Sequence, residues 1–392
     1  MPVSRQSSPR VAVFTDTIDD INGVALGLRR LAAAASRCGH DLDLVGAGAS
    51  RRVFIDDCGV VRLPSLVRRS LSIYPEMVWS VPRPGPLAQW LVRSRPEIVQ
   101  CATPGPIGFG AMASARSLRI PVVAQYHTEV AEYAARMMGR RSGVAAGAVV
   151  SWFYRHADLC LAPSRSTAAR LSGFGVEESR IVLVPRGTDL SLFSPSHRDR
   201  ASLARFGIDP RSPVLLYVGR LSREKNLDVL LRAHAILRAT HPDATLLVVG
   251  SGPVEDALEG PGVVRTGPLH GAALGAVYAS ADVFAFPSET ETFGNVVVEA
   301  QAAGLPVVVA AAGAAHENVV PGVTGLVADG GRPEAFAAAI ASLLDDPDRR
   351  ATMGCAAHRF AQRFDGEAAA RRTFALYRGF LGASEGSCVS RS

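Results

Sequence analysis

Lysine is almost missing from this chain: of its 42 basic residues, 41 are arginine and one, Lys225, is lysine. Arginine is a broad planar fork, whereas lysine is a compact, mobile point charge, so a position that keeps lysine in such a background marks itself for attention. Cysteine is scarce too. The six residues at 38, 58, 101, 160, 355 and 388 form no close pairs and no metal-ligand spacing. That pattern excludes a disulfide scaffold or a zinc module and is what reduced thiols in a cytoplasmic protein look like. Aromatics make up 6% of the residues and do not interleave with the arginines, and no nucleic-acid-binding motif is present. Long apolar runs are absent. The longest, Val144 to Tyr154, falls well short of the roughly 20 residues a membrane helix needs. The polar stretch Met1 to Pro9 has no apolar core of the secretory kind. A complete dinucleotide fingerprint is also lacking: Gly46-Ala-Gly48 follows a strand pattern, but Arg51 stands where the third glycine belongs.

What is present reads as two α/β domains. A length of 392 residues, 48% apolar and 20% charged, suits two soluble cores rather than one. Apolar strand runs at 11–14, 41–45, 97–100 and 121–125 alternate with helical patterns such as 24–36. The same grammar restarts with strands at 214–218, 245–249, 283–286 and 306–310 and a helix at 226–238. Strands alternating with helices imply doubly wound parallel sheets, which bind ligands at the carboxyl ends of their strands. The expected division is 1–193 for an N-terminal domain and 214–365 for a C-terminal domain. The Pro-, Ser-, Arg- and Asp-rich segment 194–213 reads as the linker region between them. A final helix over 366–381 is expected, with the option of crossing back to the first domain, and 382–392 as a disordered tail. Charge is uneven: residues 1–200 carry 25 arginines against 16 acids, a surplus of nine, while 201–392 carry 17 basic and 20 acidic residues. A basic half suits an anionic substrate or an anionic membrane surface.

The densest signal runs from Phe286 to Val308. It is a strand end, a polar loop holding Ser288, Glu291 and Phe293, and a helix opening at Gly294 with Glu299 inside it. A helix start offers free N–H groups to an anion, and a glycine there lets a ligand approach the backbone. Glu291 and Glu299, on either side of that start, address different parts of one extended ligand, and each carboxylate can accept two hydrogen bonds from a vicinal diol. Upstream, Gly219-Arg220 and Lys225-Asn226 follow a strand and place two cations five residues apart. Together with Asn22-Gly23-Val24, these elements resemble retaining glycosyltransferase family four, over about Val11 to Tyr377.

That resemblance implies the GT-B fold, two Rossmann-like domains facing a central cleft. It implies that Arg220 and Lys225 hold the donor diphosphate and that Glu291 contacts the transferred sugar beside the backbone of Phe293, Gly294, Asn295 and Val296. Glu299 would then bind the ribose, with Gly250, Gly252, Thr266 and Gly267 lining the nucleotide pocket. Gly23 would approach the phosphates, and His127 would lie near the sugar. Fixed cations aimed at a departing diphosphate stabilise the charge that grows there, so neither a metal nor another cofactor is expected. Asp41-Leu-Asp43 does match a metal-binding pattern, but its acids alternate with leucines in a strand and read as structural.

Acids in the loop after the first strand, Asp16, Asp19 and Asp20, depart from the family pattern. Their default role is to accept hydrogen bonds from their own turn; the sharper alternative is contact with a polyhydroxylated or cationic acceptor, with Glu129 assisting. The expected activity is transfer of a hexosyl unit from GDP-mannose or a UDP-hexose to a hydroxyl of a small polar or glycolipid acceptor, in the cytoplasm or at the inner membrane face. Alternatives are a UDP-sugar-dependent transferase acting on an aminocyclitol in aminoglycoside antibiotic biosynthesis, a GT-B-type epimerase, or a non-catalytic nucleotide-sugar binder.

Overall fold

A computed structural model describes residues 8–19, 23–50, 52–57, 59–71, 74–127 and 139–389. The chain divides into two units, 1–187 with 366–392, and 188–365.

Among the described residues the first unit is built on nine strands: β1 (Val11–Phe14), β2 (Leu42–Gly48), β3 (Phe54–Ile55), β4 (Val60–Leu71), β5 (Tyr74–Pro82), β6 (Ile98–Cys101), β7 (Val122–Gln125), β8 (Leu159–Ala162) and β9 (Ile181–Leu183). They lie in the order β3-β4-β2-β1-β6-β7-β8-β9, with β5 paired to β4. β1 is central and parallel to both neighbours, Val11 opposing Leu42 on one side and Ile98 on the other. All four of its residues are fully buried, as they must be in a sheet covered on both faces. The hairpin of β4 and β5 extends this sheet antiparallel beyond the parallel pairing of β4 with β2.

One face of this sheet is covered by the helices Gly23–Arg37 and Gly366–Val389. Phe374 and Tyr377 of the latter are fully buried among Val11, Val13, Leu28 and Leu161. The Tyr377 hydroxyl donates to Gln100, whose amide donates to Gln125 at 2.6 Å, a buried polar chain across three elements. Arg37 pairs with Glu367 at 2.9 Å, and the His40 ring stacks on Phe374. The last helix thus belongs to the first unit. It also runs to Val389 rather than ending at 381, which replaces the expected tail by helix as far as the described residues go.

The second unit holds β10 (Val214–Val218), β11 (Thr245–Val249), β12 (Val263–Gly267), β13 (Val283–Phe286), β14 (Val307–Ala310) and β15 (Gly325–Ala328), all parallel, in the order β12-β11-β10-β13-β14-β15. Its main core joins the strands to the helices Leu227–Leu237, Gly271–Ser280, Asn295–Ala302 and Pro333–Leu344. The expected linker at 194–213 is instead part of this unit. Arg200 reaches Asp282 at 2.8 Å and also donates to the carbonyls of Pro210, Ser212 and Ser280, while Leu203 is fully buried. Its composition looked like a linker because the partners that fix it to the sheet, Ser280 and Asp282, lie 80 and 82 residues from Arg200.

Candidate active site

In a doubly wound sheet the crevice opens where successive connections leave in opposite directions. In the second unit that point lies between β10 and β13, adjacent strands whose carboxyl ends carry the Gly219–Asn226 and Pro287–Gly294 loops. These are the two segments singled out by sequence. They are sewn together. Tyr217 donates to the Arg220 carbonyl at 3.1 Å, and Asn226, in the left-handed region at φ 53°, donates from its side-chain amide to the Pro287 carbonyl at 3.2 Å. Asn is among the few side chains that tolerate that backbone conformation, and it closes the short turn Arg223–Lys225. The result brings Lys225 onto Glu291 in an ion pair, with side chains 14% and 19% exposed. The fully buried Ser288 hydroxyl donates to the same carboxylate at 3.1 Å.

Gly294 caps the helix Asn295–Ala302 at φ 83°, and a Cβ there would come within 3.1 Å of the Ala315 backbone. Only glycine meets both demands. Phe293 points inward against Val298 and Phe364, so this residue offers its backbone rather than its ring. Its carbonyl accepts from Asn318, whose own carbonyl accepts from Gln301 at 2.7 Å, a buried amide relay that steadies the helix start. Asn295 and Val296 form the first turn. Deeper in the helix, Glu299 is 4% exposed and accepts from the fully buried Tyr278 hydroxyl at 3.0 Å.

The expected pocket-lining residues have a mechanical reason for their identity. A Cβ on Gly250 would fall 1.9 Å from the Gly219 carbonyl oxygen, and one on Gly252 2.3 Å from that of Leu221. The loop after β11 therefore packs directly on the cation-bearing loop. Gly267 accepts from the Gly250 N–H at 3.0 Å and from the Thr266 hydroxyl at 2.8 Å, which brings these two residues to the same edge.

In the first unit, β1 and β6 flank the corresponding reversal point. Asp16 sits there, but it is committed inward: Thr103 donates to one carboxylate oxygen at 2.7 Å and the Ile107 N–H, in the first turn of the helix Pro106–Ser117, to the other at 2.9 Å. Burial pushes its pKa up to about 6 against the opposing effect of those hydrogen bonds. Asp19 is bound by Arg62 at 2.6 Å and lies 3.9 Å from Arg68. Both acids are thus engaged by groups of the first unit. Asp43 lies in β2 with its pKa raised by burial, as suits a structural acid. His127, just beyond β7, is 6% exposed and meets Arg186. Gly23 opens its helix at an exposed position. Asp20, Asn22 and Glu129 lie outside the described residues.

Residues 21–192 match the family described as Glycosyltransferase Family 4, and residues 212–346 that described as Glycosyl transferases group 1. The chain is 35% identical to a GDP-mannose-dependent alpha-mannosyltransferase of Mycolicibacterium smegmatis over 89% of its length and 92% of that protein. It is 34% identical to the sulfoquinovosyl transferase SQD2 of Arabidopsis thaliana over 71% of its length, spanning 56% of that relative. Its fold superposes on sucrose-phosphate synthase from Thermosynechococcus elongatus with a TM-score of 0.77 at 23% identity, covering 96% of this chain and all of the other. The chain belongs to glycosyltransferase family four.

This glycosyltransferase has the GT-B architecture of two Rossmann-like units. Its second unit gathers two cations, a helix start and two carboxylates around one reversal point. Three partners in the enzyme escaped sequence reasoning: Ser288, Tyr278 and Arg186. Ser288 lies inside the singled-out string, but Tyr278 and Arg186 sit 21 and 59 residues from the groups they bind. No local spacing signals them.

Proposed function

We propose that this glycosyltransferase moves a mannosyl unit from GDP-mannose to a hydroxyl acceptor with retention of anomeric configuration. The reading is carried by the Lys225–Glu291 pair at the β10/β13 reversal point, because it sets the cation meant for the leaving diphosphate beside the carboxylate meant for the sugar. Arg220, Lys225 and the N–H groups of the Asn295–Ala302 helix supply positive charge where the sugar–phosphate bond breaks. Glu299 takes the ribose hydroxyls. The bond from C1 to the diphosphate oxygen breaks and the bond from C1 to the acceptor oxygen forms on the same face. The acceptor proton leaves to a donor phosphate oxygen, and turnover persists in chelator. The extended mannosyltransferase relative favours GDP-mannose over a UDP-hexose.

For the acceptor, a glycolipid at an anionic surface is favoured by the outer strands of the first unit. Phe54, Ile55, Leu66 and Val67 are exposed there beside the exposed Arg68 and Arg69. Sedimentation with anionic vesicles reports that contact.

A thermal-shift screen decides the donor, since a ligand that binds the native state raises its melting temperature. GDP-mannose should give the largest rise; a larger one with UDP-glucose would reassign the donor. Glu291→Ala should lower transfer by on the order of a thousandfold with the fold retained, as circular dichroism would report. Wild-type turnover in that variant would refute the site.

A further inference from the structure

Tyr217 is the fourth residue of β10 and fully buried, between leucine and valine neighbours that carry no polar atoms. Its ring stacks on Phe286, the last residue of β13, with centroids 5.8 Å apart and planes at 21°. Phenylalanine would fill that space as well. A buried hydroxyl costs free energy unless it finds a partner, so tyrosine here calls for a use of its oxygen. The oxygen donates to the Arg220 carbonyl at 3.1 Å, beyond the end of the strand. Gly219 leaves room for this bond, because a Cβ there would come within 3.0 Å of the hydroxyl. The same turn is held from its other side by the loop after β11: Gly219 donates its N–H to Val249 at 3.0 Å, and Leu221 to Ser251 at 2.9 Å. The Arg220 backbone is thereby tied at its own carbonyl and through both neighbours.

We propose that Tyr217 is a positioning residue for donor binding: its hydroxyl fixes the Arg220 backbone, so that the guanidinium meets a diphosphate from a rigid turn. The inference rests on the reading of Arg220 as a diphosphate-binding residue and lies wholly within the second unit. A guanidinium recognises phosphate through parallel N–H bonds in a fixed fork, so a small rotation of its anchoring backbone degrades both bonds at once. A turn ordered before the ligand arrives also spares binding the cost of ordering it. The hydroxyl is suited to a permanent bond. Burial first, then the charges of Glu291 and Glu224, push it well above the ordinary tyrosine range, so it remains a donor at every working pH. Through the stack on Phe286 the same side chain is anchored to β13, whose following loop carries Glu291. Tyr217 thus acts from beneath the site, through Arg220, and not by contact with the ligand.

The test is a double-mutant cycle on the full chain, read by calorimetric titration with GDP and, in parallel, UDP. Tyr217→Phe keeps the ring and its stack, so the fold is retained, which circular dichroism checks. It should weaken binding of the nucleotide that the wild type prefers by roughly three- to tenfold, the scale of one hydrogen bond. Arg220→Ala, which removes a charged contact, should weaken it by roughly tenfold or more. In the Arg220→Ala background, Tyr217→Phe should then cost less than about twofold, since a support has no effect once the group it supports is gone. A purely structural role would give the same loss in both backgrounds; that result, or wild-type affinity in Tyr217→Phe, overturns the positioning role. Wild-type affinity in Arg220→Ala, or no binding of either nucleotide to the wild type, overturns the donor-site reading itself and the proposal with it. The single Arg220→Ala titration therefore separates failure of the reading from failure of the support.

Discussion

Each unit has a point where its sheet reverses winding, and the two points have met different fates. In the first unit the acid at the β1/β6 reversal, Asp16, is consumed by Thr103 and the start of a neighbouring helix, and Asp19 beyond it is held by Arg62. In the second, the acids around β10 and β13 are held by Lys225, Ser288 and Tyr278, on the walls of the same crevice. Both are carboxylates in loops after buried strands, and both are paired. What separates scaffold from site is the nature of the partner. Asp16 satisfies backbone that would otherwise be orphaned, whereas Glu291 is paired with the cation Lys225.

The contrast can be broken at four places, in order of decreasing effect. Ending the chain at Asp365 removes Phe374 and Tyr377 from the first unit. Losing each such buried aromatic costs roughly 3–5 kcal/mol, against a total of about 5–15 kcal/mol for a domain. Calorimetry should show the first unit without a cooperative transition and the second with its own intact. Two preserved transitions would mean that the last helix is dispensable.

Next is Asp16→Asn. A folded pKa near 6 against 3.8 unfolded means the native state binds more protons between those values. The wild type should therefore lose stability as pH rises from about 4 to 6, by roughly 3 kcal/mol at most. Denaturant titrations of the variant should lack that slope. An unchanged slope would move its origin away from Asp16.

Lys225→Arg keeps the charge and changes only its shape. Initial rates of nucleotide diphosphate release should fall roughly a hundredfold, the scale of a misplaced electrostatic contact. In a chain that uses arginine at every other basic position, full activity would show that lysine persisted there without cause. Smallest is Tyr278→Phe, which removes one hydrogen bond to the buried Glu299 carboxylate. Donor KM should rise about five- to thirtyfold with kcat nearly constant. A fall in kcat alone would place Glu299 at the chemical step instead of the ribose.

Much of this was readable before any coordinates. Val11–Phe14, Val214–Val218, Thr245–Val249 and Val283–Phe286 are strands over the residues their apolar runs mark, because a strand buried on both faces leaves little room for polar residues. That the loops after β10 and β13 belong together was readable because their groups lie close together in sequence and physical chemistry restricts which residues can occupy a helix start. The hairpin of β4 and β5 was not, since one strand carries Pro64 and the arginine pair 68–69 and resembles a solvated loop. The 194–213 segment looked like a linker because Arg200 declares its purpose only once Asp282 is beside it. Asp16 shows the same limit: its default role was to accept hydrogen bonds from its own turn, and its partners Thr103 and Ile107 lie 87 and 91 residues away.

The helix that carries Tyr377 also imposes an order in time. The first unit is the first to leave the ribosome, yet one face of its sheet is only partly covered, by the helix Gly23–Arg37, until residues 366–389 have emerged. At ordinary elongation rates that delay is roughly ten to forty seconds. The second unit, contiguous in sequence, can close during the wait. The half begun first is finished last, and in the interval the apolar row from Val11 to Leu161 is the surface that a chaperone or a neighbouring nascent chain would meet.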